Sequence, residues 1–298
     1  MSARLVNVNP SQRKRVLILS DVTNEADDPF AIAHAVLSPS LEVCGIVATH
    51  YMRPDSMEES YKEAVRLAKL LGIEGRIPVV RGAKGPLETL PGDAPLSEGA
   101  RLLIDEALRD DRRQLHVLVF GAITEVAEAL AVEPAIEDRM TVVFVGGAPY
   151  PAGGREANLT HDIDAARAVF ASNVELWQLT SDAYHEMVVP IAWLAHRVAP
   201  LGELGAHMYE RVIAFDEANA EKLWVLPESW SLGDNVAVGA VLFEHTMPWE
   251  EIAAPAIGEE GAYLPGNGRT IRVYEHVNAR LILDDLMSKL ELFAQRGE

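Results

Sequence analysis

Short, almost wholly aliphatic runs at 15–20, 41–48, 77–81, 114–120, 140–145 and 174–179 alternate with segments of helical apolar spacing. Strands covered on both faces lose the in-and-out alternation and read as continuous Val, Ile and Leu, as happens when helices flank a parallel sheet. The intervening helices are expected at 29–37, 55–71, 98–109, 124–131 and 162–172. Repeated βαβ units with right-handed crossovers put the carboxyl ends of these strands along one edge. The pattern predicts an α/β fold with an open, mostly parallel, doubly wound (Rossmann-like) sheet flanked by helices. Loops 21–28, 49–54, 82–92, 121–123 and 146–158 would then converge at one sheet edge, where such folds bind ligands.

After residue 190 the pattern becomes mainly helical, at 191–198, 204–220 and 235–242, followed by the alternating Thr270-Ile271-Arg272-Val273-Tyr274 and a last helix near 283–294. No linker rich in Pro, Gly and Ser divides the chain. One domain over 1–298 is expected, with 1–13 as an N-terminal extension and 190–298 packing on the sheet as an extra helical layer. A cap over the site is the other arrangement this pattern allows.

A hydrophobic fraction of 49% with 24% charged residues supports a large core. No apolar run reaches the roughly 18 residues that span a bilayer, and Met1 to Pro10 lacks a hydrophobic signal core, so a cytoplasmic location is expected. Cys44, the only cysteine, lies in an aliphatic run, which excludes an internal disulfide and a thiolate-rich metal site. The net charge of -19 speaks against nucleic-acid binding, which needs clustered Lys and Arg, and favours a small, largely uncharged substrate.

The first aliphatic run ends in Ser20-Asp21-Val22-Thr23-Asn24-Glu25-Ala26-Asp27-Asp28, four acids within eight residues. One Asp at the next helix's N-terminus is an ordinary cap. Four repel one another unless a cation or a substrate's hydroxyls neutralise them, and hard oxygen donors suit calcium or magnesium. Phe120-Gly121 ends another strand, with a Gly that allows close backbone approach to a ligand. Residues 146–158 form a long Gly- and Pro-rich loop in which Glu156 and Asn158 stand two apart, suited to vicinal hydroxyls. Asp234 precedes a short apolar helix and alone would be its cap. Dinucleotide, P-loop and nucleophile-elbow motifs are absent. Of nine histidines, His50 and His161 are the best placed to face the site, and His185 and His245 could approach from the helical half.

Together these pieces, in order from residue 14 to 240, resemble the inosine-uridine-preferring nucleoside hydrolase family. Its hallmark DxDPGxDD is similar to the run ending in Asp27-Asp28-Pro29-Phe30, with Val22-Thr23-Asn24-Glu25-Ala26 in place of a Pro-Gly turn, a variant that looks like a known subgroup. Counting forward puts Asp21 on the family's calcium-binding, water-activating aspartate; counting back puts Thr23 there. The forward count is preferred because Thr cannot act as a carboxylate base. Gly121 to Ala127 resembles GPLTNxA, and Glu156 to Ala166 resembles EFNxxxDPEAA without a gap.

The resemblance implies calcium held by Asp21, Asp28, Asp234 and the carbonyl of Phe120. It implies a ribonucleoside held by Asp27, Glu156 and Asn158, with Asp21 and Asn158 catalytic, and it suggests a homodimer or homotetramer. Two positions depart from the family. Gly233 replaces a His that protonates the leaving base in many members, which leaves His50, His161, Tyr184 or a Trp of the helical half to activate it. The asparagine after the second strand is replaced within Ala48-Thr49-His50-Tyr51, and His50 is taken as the sugar contact there. Trp224, Trp230 or Tyr184 would stack on a base. The expected reaction is calcium-dependent hydrolysis of a ribonucleoside to ribose and free base. Non-catalytic nucleoside or ribose binding, hydrolysis of another ribosyl glycoside and a haloacid-dehalogenase-like phosphatase are the alternatives; the last wants an Asp where Thr23 stands.

Overall fold

The computed structural model describes residues 7–90, 95–222, 225 and 228–297. Its aliphatic runs form β1 (Lys14–Ser20), β2 (Leu41–Ala48), β3 (Val79–Arg81), β4 (Leu115–Val119), β5 (Met140–Val145) and β6 (Glu175–Leu179), all mutually parallel. The later strands are β7 (Val188–Pro190), β8 (Ser229–Ser231), β9 (Glu250–Ala253), β10 (Ala256–Ile257), β11 (Tyr263–Leu264) and β12 (Thr270–Tyr274). The main sheet runs β3-β2-β1-β4-β5-β6-β12-β9, while β7 pairs with β8 and β10 with β11. Strand order reverses between β1 and β4, which opens a crevice at their carboxyl ends.

The helices are α1 (Asp28–Val36), α2 (Ser56–Leu70), α3 (Glu98–Leu108), α4 (Thr124–Val132), α5 (Ala157–His161), α6 (Ile163–Ala171), α7 (Ser181–His185), α8 (Ile191–Arg197), α9 (Gly202–Asn219), α10 (Asn235–Leu242) and α11 (Ala279–Gly297). Side chains of a strand alternate between faces. In β1, Val16 and Ile18 enter a core shared with Phe30, Leu67, Met208, Val236 and Leu286, from α1, α2, α9, α10 and α11. Leu17 and Leu19 enter the opposite core with Leu103, Val126 and Val169, from α3, α4 and α6. That is a doubly wound sheet, as expected from the aliphatic runs.

Helices α8 to α11 add to one face, but the chain after residue 190 also lengthens the sheet. Strand β12 lies parallel to β6, and β9 closes the edge antiparallel to β12. The alternation in β12 explains its place, since Ile271 and Val273 fill one core and Tyr274 the other. No helix among the described residues is long and apolar enough to cross a membrane.

His34, wholly buried on α1, ties three helices. Its Nδ1 is 3.1 Å from Oδ1 of Asn235 on α10, and its Nε2 is 2.9 Å from Oδ2 of Asp285 on α11. Lys289 pairs with Asp285 and donates to the Ser38 hydroxyl at 2.8 Å. The relative placement of α1 and α10 is thus fixed by hydrogen bonds as well as by packing.

Glu125, in the first turn of α4, is equally buried: Oε1 accepts the Ala83 N–H at 2.8 Å and Oε2 has no partner. Burial pushes its carboxyl up to about 8, so the acid is folded in its neutral form. Stability from that neutral acid is complete below 4.5 and is lost as pH climbs to about 8. Glu125→Gln should remove this component, on the order of 4 kcal/mol between those pH values. Urea midpoints measured from pH 5 to 9 check it, and an unchanged slope in the variant would refute it.

Candidate active site

The first acidic run leaves β1 at the reversal point and turns directly into α1. Asp27 occupies the N-cap position of α1 and Asp234 that of α10, yet neither side chain caps its own helix. Both are free to face the crevice. Oδ2 of Asp27 accepts the N–H of Asp234 at 3.2 Å, and the Ser20 hydroxyl donates to Oδ1 of Asp28. One carboxylate oxygen from each of Asp27, Asp28 and Asp234 lies within 4.8 Å of the others. Two helix N-termini converge on these acids, and their dipoles favour negative charge there.

The dipoles do not offset burial. Asp21, Asp28 and Asp234 are 2%, 2% and 5% exposed. Burial, followed by the charge of Asp27, holds Asp21 well above the usual carboxylate range. Burial and then Asp21 do the same to Asp28, and burial and then Asp27 to Asp234. Asp27 is pushed by burial only to about 6, because backbone N–H groups of Asp234 and its neighbours favour its anion. Glu25 is pushed to about 8 by burial and by Asp27. The carboxylates therefore lack a positive charge. Oδ2 of Asp21 is buried without any hydrogen-bond partner. An all-oxygen donor set with an orphaned acceptor beside it fits a hard divalent cation.

Asp21, and not Thr23, reaches the cleft. The Thr23 hydroxyl points away, to Tyr51 Oη at 3.2 Å and Ser60 Oγ at 3.1 Å. Arg211 of α9 donates to the carbonyls of Val22 at 3.0 Å and Glu25 at 3.4 Å, while His207 hydrogen-bonds Glu63 of α2. The variant loop is thus braced from behind by α2 and α9. Asp21 itself stands outside the triplet of Asp27, Asp28 and Asp234, on the β4 side. A Cβ at Gly121 would lie 2.8 Å from Cγ of Asp21 and 2.8 Å from the Thr49 hydroxyl. Gly121→Ala is therefore expected to displace Asp21 and to destabilise by about 1–3 kcal/mol. Turnover should fall with it, and wild-type kcat in that variant would contradict the packing.

Opposite the acids stands α5. Glu156 is its N-cap: Oε2 accepts from the N–H groups of Gly147 at 2.7 Å and Leu159 at 3.0 Å. Its Oε1 takes the Asn158 N–H and the Tyr184 hydroxyl, each at 3.2 Å. All four acceptor sites of that carboxylate are engaged, so a sugar hydroxyl must compete with Tyr184. The Asn158 amide donates to the carbonyls of Val145 at 2.9 Å and Phe120 at 3.2 Å. With both protons of Nδ2 committed, its Oδ1 is left to accept.

The acids, Phe120, Glu156 and Asn158 line one cleft of about 510 Å³, together with Asn24, Glu25, Tyr184, His185, Ser229, Trp230 and Ser231. Glu25, one of the four acids expected at this sheet edge, is a cleft wall together with its neighbour Asn24, whereas β8 enters only through tertiary packing. His50 does not line the cleft. It is fully buried, with Nε2 2.9 Å from Thr124 Oγ1 and Nδ1 accepting the Met52 N–H at 3.3 Å. The Thr124 hydroxyl in turn donates to Asp162 at 2.7 Å. His50 is thus a structural link between the β2 and β4 loops and is withdrawn as the sugar contact. His245 is exposed and away from the cleft. Trp224 lies outside the described residues. A Cβ at Gly233 would sit 3.3 Å from Tyr184 Cβ and 3.2 Å from Asp27 Oδ2, so Tyr184 packs against the position where the resemblance leads one to expect His.

The fold and this acid-lined cleft define an α/β protein with a candidate metal-binding site where the strand order reverses, and the sequence comparison gives its family. A family model described as inosine-uridine preferring nucleoside hydrolase matches residues 17–284, and the chain belongs to that family. It is 25% identical over 217 residues to the pyrimidine-specific ribonucleoside hydrolase RihB of Escherichia coli (strain SE11), covering 64% of this chain and 68% of that one. It is 25% identical over 224 residues to the inosine-uridine preferring nucleoside hydrolase of Leishmania major, covering 66% and 70%. The solved purine-preferring ribonucleoside hydrolase of Gardnerella vaginalis superposes with a TM-score of 0.74 at 22% identity, covering 95% of this chain and 100% of the other. The plant nucleoside hydrolase PpNRh1 does so with a TM-score of 0.76 at 18% identity, covering 93% and 99%.

Proposed function

We propose that this protein hydrolyses the N-glycosidic bond of a ribonucleoside to ribose and free base, using calcium held by Asp21, Asp28, Asp234 and the Phe120 carbonyl. The observation that carries the reading is the set of buried, mutually repelling carboxylates at the β1 end, with Asp21 Oδ2 unpaired beside them. Such a group of acids is stable as anions only around a cation. When bound, calcium supplies Lewis acidity that lowers the pKa of water and an anchor for two ribose hydroxyls. Asp21 takes the proton as water attacks the anomeric carbon. Asp27 and Glu156 accept hydrogen bonds from the ribose hydroxyls, Tyr184 yielding its place on Glu156, and Asn158 accepts one through Oδ1. As the base departs with the bonding electron pair and takes a proton from solvent, the sugar becomes oxocarbenium-like and the surrounding carboxylates stabilise its charge. Base preference is left to the wall formed by Tyr184, His185 and Trp230.

The test is reducing-sugar release from a panel of purine and pyrimidine nucleosides, with calcium and after chelation. Release that requires calcium is expected from at least one member. No release from any of them would overturn the reading.

A further inference from the structure

His161, expected from the sequence to face the site as a candidate to activate the leaving base, does not line the cleft and has no role in the chemistry proposed above. It is the last residue of α5, three beyond Asn158, so the two side chains share a helix face. The helix stops there because Asp162 adopts an extended backbone and caps α6, accepting the Ala165 N–H at 2.9 Å. Asn158 is fixed by the Phe120 and Val145 carbonyls, which holds α5 against the ends of β4 and β5. His161 is thereby carried behind Asp21, outside the cleft-lining set.

Nδ1 of His161 is 3.4 Å from Oδ2 of Asp21, and both atoms are buried without any hydrogen-bond partner. Buried polar atoms without partners are rare and costly, and two of them facing each other have an obvious remedy. An ionised carboxylate only accepts, so the proton must sit on Nδ1. We infer that His161 is a positioning residue that donates Nδ1–H to Oδ2 of Asp21, fixing that carboxylate so that its other oxygen faces the cleft. Carboxylates that bind metal are themselves oriented by hydrogen bonds of this kind, and losing one typically costs about 10- to 100-fold in affinity or activity. The inference rests on the reading of Asp21 as the proton acceptor and adds to it the group that aims it.

Two substitutions separate the hydrogen bond from the packing. In His161→Phe the ring volume stays and the donor goes. In His161→Asn the amide nitrogen takes the place of Nδ1. The expected result is a kcat about 10- to 100-fold lower in His161→Phe with KM near wild type, a weaker calcium affinity by titration of the metal alone, and recovery of both in His161→Asn. In the calcium-loaded wild-type protein, nitrogen-15 NMR of labelled histidine should show His161 with its proton on Nδ1. Wild-type kcat and calcium affinity in His161→Phe, equal losses in the two variants, or a proton on Nε2 alone would overturn the inference. If His161→Phe does not fold, the NMR result and His161→Asn decide. Asp21→Asn keeps the two proposals apart: normal turnover there defeats the reading of Asp21 itself, whereas an inactive Asp21→Asn beside an unaffected His161→Phe defeats only the role of His161.

Discussion

Asp21→Asn should lower kcat by roughly a thousandfold, the scale of losing a positioned general base, while making the metal-free protein more stable. The two effects have one origin. Asp21 is buried against Asp27, and its carboxyl is held well above the 3.8 of the unfolded chain. A raised acid lends stability that is complete below the unfolded value and is lost as pH rises toward the folded one. The amide cannot ionise, so the variant escapes that loss. Thermal melts in a chelator at pH 5 and pH 8, set beside kcat with calcium, check both halves. A variant that turns over normally removes Asp21 from the mechanism. One that is inactive but less stable at pH 8 than wild type would show that its charge is not a burden in the empty site.

The second large effect is an inversion of pH dependence by calcium. Asp27 is raised to about 6 and Glu25 to about 8, with Asp21, Asp28 and Asp234 also raised. All five shifts have the same sign. The metal-free protein should therefore be most stable near pH 4–5 and weaken steadily through pH 8, as each group is forced to ionise beside the others. Calcium binds the anions, competes with protons and so acts most where the metal-free form is weakest. At a concentration of a hundred times Kd it should add about 2.7 kcal/mol, with little effect at pH 4.5 and the full effect near pH 8. Melts with calcium and with chelator across that range test it. Equal stabilisation at both ends would mean that the metal does not contact these carboxylates.

The strands were legible because they are buried on both sides. Runs such as Val16-Leu17-Ile18-Leu19 and Met140 to Val145 have no solvent-facing position to interrupt them, and their expected bounds agree with β1 and β5 to within a residue. Strand β9 was not legible: Glu250-Glu251-Ile252-Ala253 is an exposed edge whose partner, β12, is the only reason for it to be extended. The short α5 was hidden for a different reason, since the loop reading of 146–158 and the helix reading from 162 left no sign of a separate turn capped by Glu156. In the site, acids placed directly after strands could be found from their positions. His50 stands equally close to a strand end but turns away, because Thr124 and the Met52 N–H occupy both ring nitrogens. Trp230 was legible only as one of several aromatic residues that could stack on a base, and Ser229 and Ser231 were not legible at all, since nothing in the local pattern says that β8 closes over the crevice.

The link made by His34 gives the end of the chain a say in the chemistry near its beginning. Asp28 and Asp234 ride on α1 and α10, and the side chain that joins those helices is completed by Asp285, with Lys289 beside it. A frameshift, nonsense codon or proteolytic trim between residues 235 and 284 would leave the cleft-lining residues intact in sequence, yet would remove Asp285 and Lys289 and so strip His34 of its carboxylate partner. For the same reason the carboxyl terminus is the wrong place to shorten this protein for crystallisation or for a fusion: the last helix is the clasp on the two helices that carry the acids.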